Sequence, residues 1–170
     1  NGVANALNQY LYPNQRQINI IPNSISDDYE YSSSRIKDMI LSRAKYLKSP
    51  IIVMTARFSY HKYQNQLIDL IALSSNYRLL LIGDGPFLTS SIEYAETKGV
   101  SRRVTFAGSL TRVNILSHLE SATFYIQSSH TEAFGIAALE AMSLGLPTFI
   151  SSIPGLSEIT PDPYFLFTND

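Results

Sequence analysis

Short, almost purely apolar runs separated by stretches of helical spacing constrain this chain more than any other feature. Ile18 to Ile21, Ile51 to Thr55, Arg78 to Ile82, Val104 to Phe106, Thr123 to Gln127, Thr148 to Ile150 and Tyr164 to Phe167 are all strand-sized. Most do not alternate apolar with polar, which is how a strand reads when both of its faces are covered. Helical spacing fills the gaps: Gln66 to Ser74, with Leu67, Leu70 and Ile71 on one face, then Ile92 to Lys98, Val113 to Leu119 and Phe134 to Leu144. Ser32 to Ser34 are placed to cap a further helix running to Leu47. Strand alternating with helix at this spacing predicts right-handed parallel βαβ units. The fold class is therefore α/β, a doubly wound parallel sheet with helices on both faces.

The totals bound the rest. A chain of 170 residues suffices for one domain with its own core, taken as residues 1–170. A net charge of −1 offers no basic footprint for nucleic acid or an anionic membrane. The absence of cysteine removes disulfides, thiolate catalysis and the common zinc clusters together. The apolar runs are far shorter than the roughly 20 residues of a membrane-spanning helix. Asn1 stands where a methionine or signal-like segment would be, which reads as an excised piece of a longer protein.

In a fold of this class ligands bind beyond the carboxyl ends of the strands, so the residues after each run carry the chemistry. Glu140 is the only charge in the helix-forming run Phe134 to Leu144. A carboxylate there either faces a wet groove or an arginine, or it is aimed at ligand hydroxyls, which it accepts in pairs. Glu132 follows the strand Thr123 to Gln127, just ahead of the helix, where Phe134, Gly135 and Ile136 offer backbone N–H groups. Such a terminus carries about half a positive charge and receives phosphate. The plainer role for Glu132 is partner to that terminus, contributing about 1 kcal/mol at most. Arg57 and Lys62 lie on the loop after Ile51 to Thr55 and suit a diphosphate clamp, a bidentate fork and a point charge. Otherwise they are two solvated loop cations. His61 and His118 read as surface residues. The tyrosines are scattered and show no stacking platform.

Glu132-Ala133-Phe134-Gly135-Ile136-Ala137-Ala138-Leu139-Glu140 resembles the E-x7-E motif of the group 1 (family-4) retaining glycosyltransferases. Ala141-Met142 and Gly145-Leu146-Pro147 follow as in that family. Ile21-Pro22-Asn23, Ala56-Arg57 with Lys62, Leu81 to Pro86, Val104 to Gly108 and Pro154 to Ile159 are similar to its other motifs, in the same order. The resemblance runs from Ile18 to Thr168. It implies the donor-binding C-terminal half of a two-domain GT-B enzyme, whose N-terminal domain binds a glycan or lipid-linked acceptor. Carried over by position, Arg57 and Lys62 hold the diphosphate of a UDP- or GDP-sugar, and Glu140 binds the ribose hydroxyls. Glu132, the catalytic carboxylate, orients the donor sugar. Phe134, Gly135 and Ile136 give backbone donors, and the turn from Gly108 to Leu110 flanks the base. The family implies no metal or other cofactor, no nucleic acid and no transmembrane segment in this piece. It also implies work in the cytoplasm, often at a membrane face, in polysaccharide or glycolipid assembly. Three departures add side chains where that family prefers glycine: Ser24, Ala56 and Tyr63.

Rival classes fit less well. A dinucleotide-binding oxidoreductase domain requires G-x-G-x-x-G, whereas Gly83-Asp84-Gly85 runs into Pro86-Phe87. A non-catalytic nucleotide-sugar-binding domain is the more serious rival, and the presence of all four charged site positions argues against decay of the site. There is no G-x-S-x-G elbow for a serine hydrolase.

Overall fold

The computed structural model describes residues 49–159 and 166–168. The expected strand at Ile18 to Ile21, the helix from Ser32 to Leu47, the Ile21-Pro22-Asn23 motif and Ser24 lie outside the described residues, as does the start of the last expected strand. Five strands and four helices alternate: β1 Ile51–Thr55, α1 Gln64–Leu73, β2 Arg78–Ile82, α2 Leu88–Thr97, β3 Val104–Gly108, α3 Arg112–Ser121, β4 Phe124–Gln127, α4 Ile136–Ser143 and β5 Thr148–Ser151. A 3-10 turn, Tyr60–Lys62, precedes α1, and a two-residue β6, Leu166–Phe167, closes the edge.

The sheet order is β3-β2-β1-β4-β5-β6 with every pair parallel. This is the doubly wound order, and its direction reverses between β1 and β4, where a crevice opens at the strand ends. Side chains alternate across the sheet as the pleat demands. Ile52 and Met54 of β1, with Leu79 and Leu81 of β2, face a core completed by Leu67, Ile68 and Ile71 of α1 and Ala95 of α2. Val53, Ile82 and Tyr125 face the other way, against Leu119 of α3 and Ala138, Ala141 and Met142 of α4. Two cores on one sheet explain why the strands read as apolar throughout. Fully burying each Leu, Ile or Met contributes about 1.5–3 kcal/mol.

Several element boundaries differ from expectation. Strand β3 continues through Ala107 to Gly108, α1 begins at Gln64, and α2 begins at Leu88. On α1 the buried face is Leu67, Ile68 and Ile71, while Leu70 is exposed. Helix α4 begins at Ile136, two residues later than its apolar run.

Candidate functional site

Three loops meet beyond the crevice. The β1–α1 loop and the β4–α4 loop are stitched together by hydrogen bonds: the His130 N–H donates to the His61 carbonyl (2.7 Å), and Ser128 Oγ to the carbonyls of Lys62 (3.1 Å) and Tyr63 (3.2 Å). Ser128 is buried, so its two bonds are shielded from water and hold the register of the loops. The third loop, after β5, backs them. A Cβ on Gly155 (φ +90°) would collide with the Glu132 carbonyl oxygen, so the chain passes there only as glycine.

This stitching sets Lys62 Nζ against Glu132 Oε2 at 2.5 Å, both side chains less than one-fifth exposed. The other Glu132 oxygen accepts from the Ala133 N–H at 3.2 Å. Glu132 is therefore not a first-turn partner of α4: the helix starts four residues later and has no acidic residue in its first turn. Gly135 precedes it in the left-handed region (φ 82°), and no side chain caps the terminus. The Ala138 and Leu139 N–H groups turn back to the Gly135 carbonyl. A cavity of about 270 Å³ opens over this end, lined by Thr55, Ala56, Gln127, Glu132 and the backbone from Ala133 to Ala137. Phe134 and Gly135 thus line the cavity as the connection into the helix, and Ile136 lines it as the helix's first residue.

The cavity floor is polar and buried. Tyr125 Oη donates to Gln127 Oε1, and Gln127 Nε2 donates to Ser129 Oγ at 2.8 Å. Burial, with Glu132 and Glu140 nearby, pushes the Tyr125 hydroxyl far above its ordinary pKa, so it stays a donor. The Thr55 hydroxyl, also at this cavity, is buried without a hydrogen-bond partner.

Glu140 lies further along α4, 15% exposed, and meets Arg112 Nε at 3.1 Å. The arginine alternative thus holds for Glu140, with a partner the sequence did not single out. Arg112 opens α3, immediately after the Gly108–Leu110 turn. Gly108 caps the end of β3, its carbonyl accepting from the Gly83 N–H at 2.8 Å, and Leu110 packs into the α3–α4 core. Arg57 is solvent-exposed, and its carbonyl accepts from Gln64 Nε2 at 2.9 Å. Of the two expected clamp cations, Lys62 is held by Glu132, and Arg57 is the more open to a ligand.

The tyrosines are not all scattered. Tyr60 and Tyr63 meet edge to face at 6.3 Å, and Tyr63 packs against His130 at 5.5 Å. Their three-residue spacing was the available signal. Tyr63 carries φ 52°, where a side chain costs about 1–2 kcal/mol. No group of three metal-ligating residues occurs among the described residues, and no described helix is long and apolar enough to cross a membrane.

The family model for glycosyl transferases group 1 matches residues 37–168. The chain is 35% identical over 115 residues to a phosphatidylinositol N-acetylglucosaminyltransferase subunit from Arabidopsis thaliana, covering 65% of this chain and 26% of that one. It is 25% identical to the alpha-monoglucosyldiacylglycerol synthase of Streptococcus pneumoniae, covering 67% of this chain and 27% of that one. The chain thus spans about a quarter of the length of these two curated relatives. Among solved structures it is similar to the catalytic domain of the Helicobacter pylori cholesterol-alpha-glucosyltransferase, at 31% identity and TM-score 0.63, covering 70% of this chain and 76% of that one. It is also similar to Anabaena HepE in complex with UDP and glucose, at 26% identity and TM-score 0.66, covering 81% of this chain and 39% of that one.

Proposed function

This chain belongs to the group 1 glycosyl transferases, and from that premise we propose that it is the donor-binding C-terminal domain of a retaining hexosyltransferase. The observation that carries the reading is the cavity at the uncapped start of α4, flanked by Lys62 and Glu132. A diphosphate laid over that terminus meets the positive end of the helix, Arg57 and Lys62. In this reading those groups neutralise the leaving charge and no metal ion is required. Glu140 exchanges Arg112 for the ribose hydroxyls, and the Gly108–Leu110 turn flanks the base. Uridine diphosphate is the first candidate, because the Anabaena relative was solved with UDP and glucose.

Glu132, released from Lys62 as the diphosphate takes over that ammonium, turns a carboxylate oxygen to the donor sugar. The acceptor hydroxyl oxygen attacks the anomeric carbon on the face from which the diphosphate leaves. The bond from that carbon to the phosphate oxygen breaks, and the departing phosphate oxygen takes the hydroxyl proton. Glu132 orients and stabilises the charge developing on the sugar ring and forms no covalent bond. The acceptor, a glycan or lipid-linked sugar, is bound chiefly by an N-terminal domain outside these residues, so this chain alone binds donor weakly and transfers nothing. These two curated relatives carry lipids in their names, which supports work at a membrane face.

Calorimetric titration with UDP, GDP, ADP and NAD tests the reading. Saturable binding of one nucleoside diphosphate, weakened by Arg57→Ala and by Glu140→Ala, is the expected result. Preferential NAD binding, or binding indifferent to both substitutions, would overturn it. Transfer to an added acceptor by this chain alone would contradict the division of labour.

A further inference from the structure

A second cavity opens against the β1–α1 loop and shares no lining residue with the one at α4. Its volume is about 160 Å³, and Tyr60, Tyr63, Phe87, Asn65 and Ser91 are among its lining residues. We propose that it binds a pyranose ring, at a site separate from the nucleotide-sugar cavity; the proposal goes beyond the function above and does not depend on it.

Tyr63 is the starting point. It is the one non-glycine residue with positive φ among the described residues. A strained backbone persists where the side chain has a use. That use is not helix capping: Tyr63 occupies the position before α1 and makes no side-chain cap hydrogen bond. Nor is it core packing, since Tyr63 is half-exposed, belongs to neither core, and its ring meets Tyr60 and His130. What the ring does is line the cavity.

The remaining walls fit a sugar better than other small ligands. Tyr60 is 62% exposed, and Phe87, also at this cavity, is exposed as well. The C–H faces of a pyranose carry slight positive charge and settle on the negative face of an aromatic ring. A hexose also brings a rim of hydroxyl donors. Asn65 and Ser91, at this cavity, carry amide and hydroxyl groups of the kind that pair with such a rim. No charged residue lines the cavity, which disfavours phosphate or a metal ion. The Tyr60 and Tyr63 rings stand at 86°, one face beside one edge, and not as the parallel slot into which a planar base slides.

The probes are methyl glucopyranoside, methyl galactopyranoside and methyl N-acetylglucosaminide, each at millimolar concentration with the whole chain in saturation-transfer NMR. At least one should receive saturation on its ring C–H protons. Tyr60→Ala and Tyr63→Gly should each weaken that binding at least fivefold. Tyr63→Gly should meanwhile hold or raise the melting temperature, because glycine relieves the backbone. Saturating UDP should not displace the glycoside. That arm separates an acceptor-type sugar from the sugar or base of the donor itself.

No saturation reaching any of the three glycosides would overturn the proposal, as would saturation unchanged in both variants. Displacement by UDP would also overturn it, by assigning the sugar to the α4 cavity. Glycoside binding without any UDP binding would leave this site standing and remove the donor reading.

Discussion

The two carboxylates of the Glu132 to Glu140 segment are each paired with a cation, yet the pairs differ in kind. Glu132 meets Lys62 with both side chains less than one-fifth exposed, on loops joined by three hydrogen bonds, two of them from the buried Ser128. Glu140 is as sheltered as Glu132, but its partner Arg112 is 73% exposed. Attraction between charges strengthens as water is excluded, and an exposed partner is screened by solvent and salt. The first pair is therefore the stronger in the free chain and the second the weaker. On the proposed reading both give way to ligand, the first to a diphosphate and the second to ribose hydroxyls, and the second yields at the smaller cost.

The contrast is broken most directly at Lys62. Lys62→Ala removes a charge-assisted contact to diphosphate, about 1.5–3 kcal/mol, so nucleoside diphosphate affinity should fall roughly 10- to 100-fold by calorimetry. A change of less than twofold would mean that the ammonium stays with Glu132 when ligand binds. Gly155→Ala attacks the same pair from behind by pushing against the Glu132 carbonyl. It should cost about 2 kcal/mol of unfolding free energy, by the scale for a strained backbone position, and weaken binding with it. If denaturant titration shows the variant as stable as the parent, the third loop does not support Glu132. Glu140→Ala should come next, with about a tenfold loss of affinity from one hydrogen-bond acceptor for hydroxyls and little change in stability. A stability loss larger than the binding loss would make Glu140 a packing residue.

The parts of this arrangement differ in how openly the sequence displays them. Strands β1, β2 and β4 were legible because cores on both faces demand unbroken apolar runs. The E-x7-E spacing was legible because both carboxylates lie on one short segment. The start of α4 was not: Phe134 continues the apolar pattern, and only the left-handed Gly135 breaks it. The buried face of α1 was misread at Leu70 because Ile68 satisfies the same period one step round the helix. Arg112 was invisible as the partner of Glu140, since the contact depends on how α3 packs on α4 and not on any local spacing. The aromatic cavity was hidden for the same reason, as it gathers residues from the β1–α1 loop, α1, the β2–α2 loop and α2. Local periodicity reports burial. Pairing between loops appears only once the sheet has set their order.

The smallest expected effect is the sharpest test of the contrast. Arg112→Ala removes the exposed half of the second pair. Exposed pairs contribute about 0.2–1 kcal/mol, so the melting temperature should scarcely move. Affinity should hold or rise slightly, because the ribose would no longer compete with a guanidinium for Glu140. The gain should shrink as salt rises and screens the parent's own pair. A clear loss of affinity would reverse the assignment: Arg112 would then itself hold the ligand, and Glu140 would position the arginine instead of the ribose.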